Sequence, residues 1–114
     1  MTQWDTAKRQ VFLRDGGKCL WCLGEAADVH HRRPKGMGGT SDPYIAFGVA
    51  NLVSLCRSCH DYIHAHPAEG YRLGYLVHSW DDPAEIPIVL KPGTHYIRLR
   101  SDGEFEKVGE YALF

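Results

Sequence analysis

The chain of 114 residues lacks any apolar run that approaches membrane-spanning length. Its start, MTQWDTAKRQ, has none of the apolar core of a secretion signal. An excess of one charge is also missing, because 13 Lys and Arg stand against 14 Asp and Glu, a formal net charge of −1. Near-neutrality by itself argues neither for nor against nucleic acid as a partner. There is no internal repeat and no low-complexity tract. A membrane span, a secreted scaffold and a solenoid are therefore all disfavoured. The expectation is one compact domain in a reducing cytoplasm. A core this small benefits from a staple, and the 4 cysteines and 7 histidines suggest what it is.

Charge and chemistry are unevenly spread. Residues 1–66 hold 8 basic against 6 acidic side chains and 5 of the histidines, whereas 67–114 hold 5 basic against 8 acidic. In residues 4–14, Ala7, Val11 and Arg14 recur at helical spacing, so a short helix is expected to stop at Asp15-Gly16-Gly17. Ala27 to His31 reads as a strand, and Leu52, Val53 and Leu55 as a second. The stretch from Pro34 to Gly48 is rich in Gly, Pro, Ser and Asp without periodicity, and reads as a long surface loop. Ser58 with Asp61 reads as a capping box for a helix from about Cys59 to His66, where Pro67 ends it or opens a further helix to Leu73. From Ile86 onward, three apolar segments separated by Pro-Gly and Asp-Gly steps predict a small antiparallel meander. The fold class expected is α+β, with residues 1–78 as one functional domain and 79–114 as a β-rich extension packed on it.

Cys19-x2-Cys22 and Cys56-x2-Cys59 form two knuckles separated by one long insertion. Each knuckle can present two thiolates, and four thiolates suit tetrahedral Zn²⁺. Free pairs or disulfides are the alternative, disfavoured in a reducing compartment. A site closed by four thiolates has no open position, so this zinc is expected to be structural.

The histidines form the second constellation. His60 and His64 stand at i, i+4, which puts two imidazoles on one helix face. His30 and His31 end a strand and should point to opposite sides. One would face the helical pair and a metal, and the other a substrate. A lone histidine is most often a hydrogen-bonded surface residue, but four at these spacings beside a zinc clip ask for more.

His30-His31-Arg32, Gly38-Gly39, Asn51-Leu52-x2-Leu55-Cys56-x2-Cys59-His60 and His64 together resemble the HNH, or ββα-metal, endonucleases. The likeness is to short members with a four-cysteine zinc site, of bacteriophage and actinobacterial type, and to the nuclease domains of DNase colicins. It covers about residues 9–76. The resemblance implies a metal-dependent hydrolase of DNA phosphodiester bonds in a bacterial host cell. His31 would be the general base, and Asn51 would fix the loop and orient that base. His30, His60 and His64 would hold one catalytic Mg²⁺, Mn²⁺, Ni²⁺, Co²⁺ or Zn²⁺. Many relatives have Asp in place of His30, and Asn or Lys in place of His64. The implied products carry 5′-phosphate and 3′-hydroxyl ends, and a phage terminase is the implied partner. Arg32, Arg33, Lys35 and Arg57 flank these residues and are expected to hold phosphates. Two other readings stand beside this one. The first is a zinc-knuckle module that binds nucleic acid or a packaging protein without cutting. The second is an enzyme acting on RNA or modified DNA.

Overall fold

The computed structural model describes residues 1–34, 42–90 and 95–110. Helix α1 (Gln3–Asp15) starts at a capping box in which Thr2 and Asp5 satisfy each other's backbone N–H groups. It stops at Gly16, which takes the left-handed conformation that glycine adopts at little cost. Strand β1 (Asp28–His31) pairs antiparallel with β2 (Leu52–Leu55), so that His30 lies opposite Val53 and His31 opposite Leu52. Between the two strands lie helix α2 (Pro43–Phe47) and a 3₁₀ turn (Val49–Asn51). Helices α3 (Arg57–Ala65) and α4 (Pro67–Leu73) follow, and then the three-stranded antiparallel sheet of β3 (Ile88–Val89), β4 (His95–Leu99) and β5 (Phe105–Glu110). No described helix is long and apolar enough to cross a membrane.

Strand alternation sorts the β1 side chains onto two layers. Val29 packs with Trp4, Ala7, Val11 and Leu52 against α1. Asp28 and His30 face the other way, towards His60 on α3. The end of α1 is pinned to this hairpin by buried polar contacts. Arg14 pairs with Asp15 at 2.7 Å and donates to the carbonyls of Val49 and Leu52, while Asp15 accepts from the Ser54 backbone N–H. The larger core joins both parts of the chain. Leu20, Val53, Leu55, Ile63 and Tyr75 pack in one cluster with Ile88, Val89, Ile97 and Leu99.

Three sequence expectations need correction. The stretch from Pro34 to Gly48 is not all loop, because Asp42 caps α2 and Pro43 takes its first turn. Five residues are too few for an apolar period to register, although the Asp-Pro start signal was present. Helix α3 is capped by Cys56, whose Sγ accepts from the Cys59 N–H, and not by Ser58 with Asp61. The knuckle thus opens the helix itself, two residues earlier than expected. The third correction concerns Arg32, described with the site. Lys35, Gly38-Gly39 and the Pro92-Gly93 step lie outside the described residues.

Candidate metal centres and active site

The four cysteines converge. Their Sγ atoms all lie within 4.8 Å of one another, and none is in a disulfide. Cys22 Sγ and Cys56 Sγ are 3.7 Å apart. A tetrahedron with metal–sulfur bonds of about 2.3 Å has edges of about 3.8 Å, so the spacing fits one ion held by both knuckles. Backbone N–H groups aim at the sulfurs within each turn, from Cys22 to Cys19, Gly24 to Cys22 and Cys59 to Cys56. The Cys59 N–H holds the Cys56 thiol below its ordinary pKa, which favours the thiolate a metal requires. The turn is tight enough that Leu23 adopts a positive φ of 64°. With four sulfurs around it, an ion here would have no open position for a substrate.

His30, His60 and His64 form the second group, with one ring nitrogen from each lying within 4.8 Å of the others. Hydrogen bonds set the tautomers. His30 Nε2 meets the Tyr75 carbonyl at 2.7 Å. A carbonyl only accepts, so Nε2 carries the proton and Nδ1 keeps the lone pair. His60 Nδ1 likewise donates to Asp28 Oδ2 at 3.1 Å, which leaves the lone pair on Nε2. Burial pushes the His30 imidazole down to about 4, so it is neutral and able to ligate at ordinary pH. The group runs from buried His30 through half-buried His60 to exposed His64. It therefore opens to solvent on one side, unlike the thiol site.

His31 sits on the opposite face of β1. Its Nε2 donates to the Ala46 carbonyl at 3.0 Å, which places the basic lone pair on Nδ1. Its ring stacks on Trp4 of α1, with centroids 5.3 Å apart and planes within 11°. Asn51 is fully buried. It accepts from the Arg33 N–H at 2.7 Å and donates to the carbonyls of Arg33 and Ile45 at 3.0 and 2.9 Å. One amide thus ties the chain after β1 to the helix that carries Ala46, the partner of His31.

The cations expected at phosphates divide. Arg32 is wholly buried and cannot touch a phosphate. Its guanidinium donates to the carbonyls of Gly74, Ala50, Pro83 and Ile86 at 2.7–2.9 Å. Arg32 flanks the histidines in sequence, which suggested a surface role, but strand alternation turned it inward to join the end of α4 and the segment leading to β3. Arg33 is half-buried. Arg57 is 70% exposed and meets Asp28 Oδ1 at 3.1 Å.

Sequence reasoning missed Asp28 and Trp4. Asp28 stands two residues before His30, hence on the same strand face, and Trp4 lies on the α1 face of Ala7 and Val11. Both signals were readable once the partners were known.

A β-hairpin crossed by a helix, with a closed thiol site and an open imidazole site, defines a metal-binding domain of the ββα class. Comparison with known families agrees. The profile of the HNH endonuclease family matches residues 16–66. That family is one of nucleases that act on DNA with a divalent metal. No curated protein and no solved structure matches the chain.

Proposed function

We propose that the chain is a metal-dependent endonuclease that hydrolyses DNA phosphodiester bonds. The observation that carries this reading is the open His30–His60–His64 group, with tautomers set by Tyr75 and Asp28 and His31 on the adjoining position of β1. Three imidazoles fit Mn²⁺, Co²⁺, Ni²⁺ or Zn²⁺ as donors, and Mg²⁺ less closely. The four thiols fit a structural Zn²⁺.

When bound, a divalent cation at the three histidines supplies charge neutralisation on the phosphate and stabilisation of the departing 3′-oxygen. His31 Nδ1 takes the proton from the attacking water. The Ala46 carbonyl and the Trp4 ring hold that imidazole in one orientation, so little of its freedom is lost at reaction. Asn51 keeps the Ala46 carbonyl in place through Ile45 and Arg33. Arg33 and Arg57 hold the DNA backbone, which gives affinity without sequence preference. Service in phage DNA packaging or processing, beside a terminase, belongs to the same reading.

The test is incubation of purified protein with supercoiled plasmid across divalent metals, with His60→Ala alongside. Metal-dependent nicking or linearisation by the parent, lost in EDTA and in the variant, is the expected result. Binding of plasmid without cleavage under every metal would favour the non-cleaving module.

A further inference from the structure

One exposed feature is used by none of these roles. Tyr71 on α4, His78 and Trp80 form a stack of three rings. Tyr71 and His78 have centroids 4.0 Å apart and planes within 8°, and His78 and Trp80 are 4.4 Å apart within 5°. Trp80 ends the stack and is 77% exposed. One face of the indole lies on His78 and the rest meets solvent. The stack is tied to the candidate site by backbone. The Tyr75 carbonyl accepts from His30, and the Val77 N–H donates to the Arg32 carbonyl, so residues 75–77 run beside the end of β1. His78 follows directly.

The surroundings narrow what the ring can take. Its chain neighbours Ser79 and Asp82 are exposed and Asp81 is half-buried, so no apolar residue flanks the indole along the chain. A protein interface needs an apolar core many times larger than one ring. Asp81 and Asp82 follow Trp80 in the chain, so a phosphate on the ring itself is disfavoured. A flat, uncharged ring meets neither objection, and every nucleobase offers one. Bases inside a duplex have both faces covered, so the base must be unpaired.

We propose that Trp80 stacks an unpaired nucleobase of the strand being processed, extending the Tyr71–His78–Trp80 column by one ring. The substrate class is then DNA with an unpaired base near the cleavage point, such as a flap, a mismatch or a single strand. This rests on the nuclease reading above for the presence of nucleic acid.

The test measures binding of the full chain, without added divalent metal, to two labelled strands of equal length and charge. One is oligothymidylate and the other carries only abasic sites. The parent should prefer the base-bearing strand by roughly five- to one-hundred-fold, the range of one stacked base. Trp80→Ala should remove that preference and leave abasic affinity unchanged, while Trp80→Phe keeps most of it. Equal binding of both strands by the parent, or an unchanged preference in Trp80→Ala, overturns the stacking proposal and leaves the nuclease reading standing. Absence of binding to either strand overturns the stacking proposal, and the plasmid assay with metal then decides the nuclease reading separately. Self-association of the parent that Trp80→Ala abolishes, without base preference, assigns the indole to a protein contact and also overturns it.

Discussion

Arg32→Ala separates two roles that a cation beside the three-histidine group can have. In the structure its guanidinium serves four backbone carbonyls, at Gly74, Ala50, Pro83 and Ile86, all within 2.9 Å. A buried polar group left without a partner costs about 1–3 kcal/mol. The Pro83 carbonyl keeps the Ile86 N–H at 3.4 Å, so three orphaned carbonyls and one half-served would cost about 3–12 kcal/mol if the cavity stayed dry. Two effects lower the figure. Water can enter the space vacated by the side chain and rebond some carbonyls. Loss of the buried cation also removes its own desolvation cost, which is large enough to push its pKa down to about 9 while leaving it charged at neutral pH. The low end, about 3 kcal/mol, is the better expectation, and it is a large share of the roughly 5–15 kcal/mol that holds a domain folded. It corresponds to a fall in Tm on the order of 15 °C. Arg32→Lys should recover little, since one ammonium cannot reach four carbonyls on different segments. Thermal melts and urea titrations of the parent and both variants decide the matter. An Arg32→Ala protein that melts within a degree or two of the parent, and loses only salt-dependent DNA affinity, would refute this reasoning and restore the phosphate role.

Three further outcomes follow from the same geometry. Asp28→Asn should weaken metal binding at the three-histidine group by roughly ten- to one-hundred-fold, because it removes the carboxylate that orients His60. The thiol-bound metal should stay in place, as parallel calorimetry and elemental analysis will show. Removing a metal from the four thiols with a strong chelator, or Cys22→Ser, should unfold the domain, since one ion held there would join the N-terminal knuckle to the start of α3. A chelated, metal-free protein with an unchanged circular dichroism spectrum would contradict that. Acid should destabilise the protein stripped at the histidine site. The His30 pKa falls from 6.5 to about 4 on folding, so the unfolded chain binds more protons between those values. Stability should be flat in this group above pH 6.5 and decline as pH falls towards 4. Urea midpoints against pH will show the slope, and His30→Gln should reduce it.

How far the sequence could be read depended on whether each signal was local. Cys-x2-Cys spacing, His60 and His64 at i, i+4, and the alternation of His30 and His31 are short-range patterns. Each places chemistry on a knuckle, a helix face or a strand face without knowledge of the rest of the fold. The glycine stops at Gly16 and Gly74 were legible for the same reason. At Gly74 there is a tertiary reason as well, since a Cβ there would collide with the Pro87 carbonyl. What could not be read was set by distant partners. Arg32 looks like a surface cation until the carbonyls of Pro83 and Ile86 are seen around it. The Tyr71–His78–Trp80 column joins α4 to a turn, and its rings have no common sequence period. Asp28 is an ordinary carboxylate until α3 brings His60 against it. Cys56 as the helix cap displaced Ser58 because the knuckle geometry prevailed over ordinary capping preference.

The central claim is that His31 is the base of a metal-dependent hydrolysis performed by this chain. It is tested most directly by comparing plasmid cleavage by the parent and His31→Ala, with metal content and melting temperature measured on the same preparations. The account predicts cleavage by the parent and a loss of roughly 10²–10⁴-fold in the variant. Both metals should be retained and the fold should be nearly unchanged, because His31 belongs to neither group of candidate metal ligands. A variant that cuts as fast as the parent at equal metal content would contradict the assignment, and a parent that cuts under no divalent metal would contradict the activity itself.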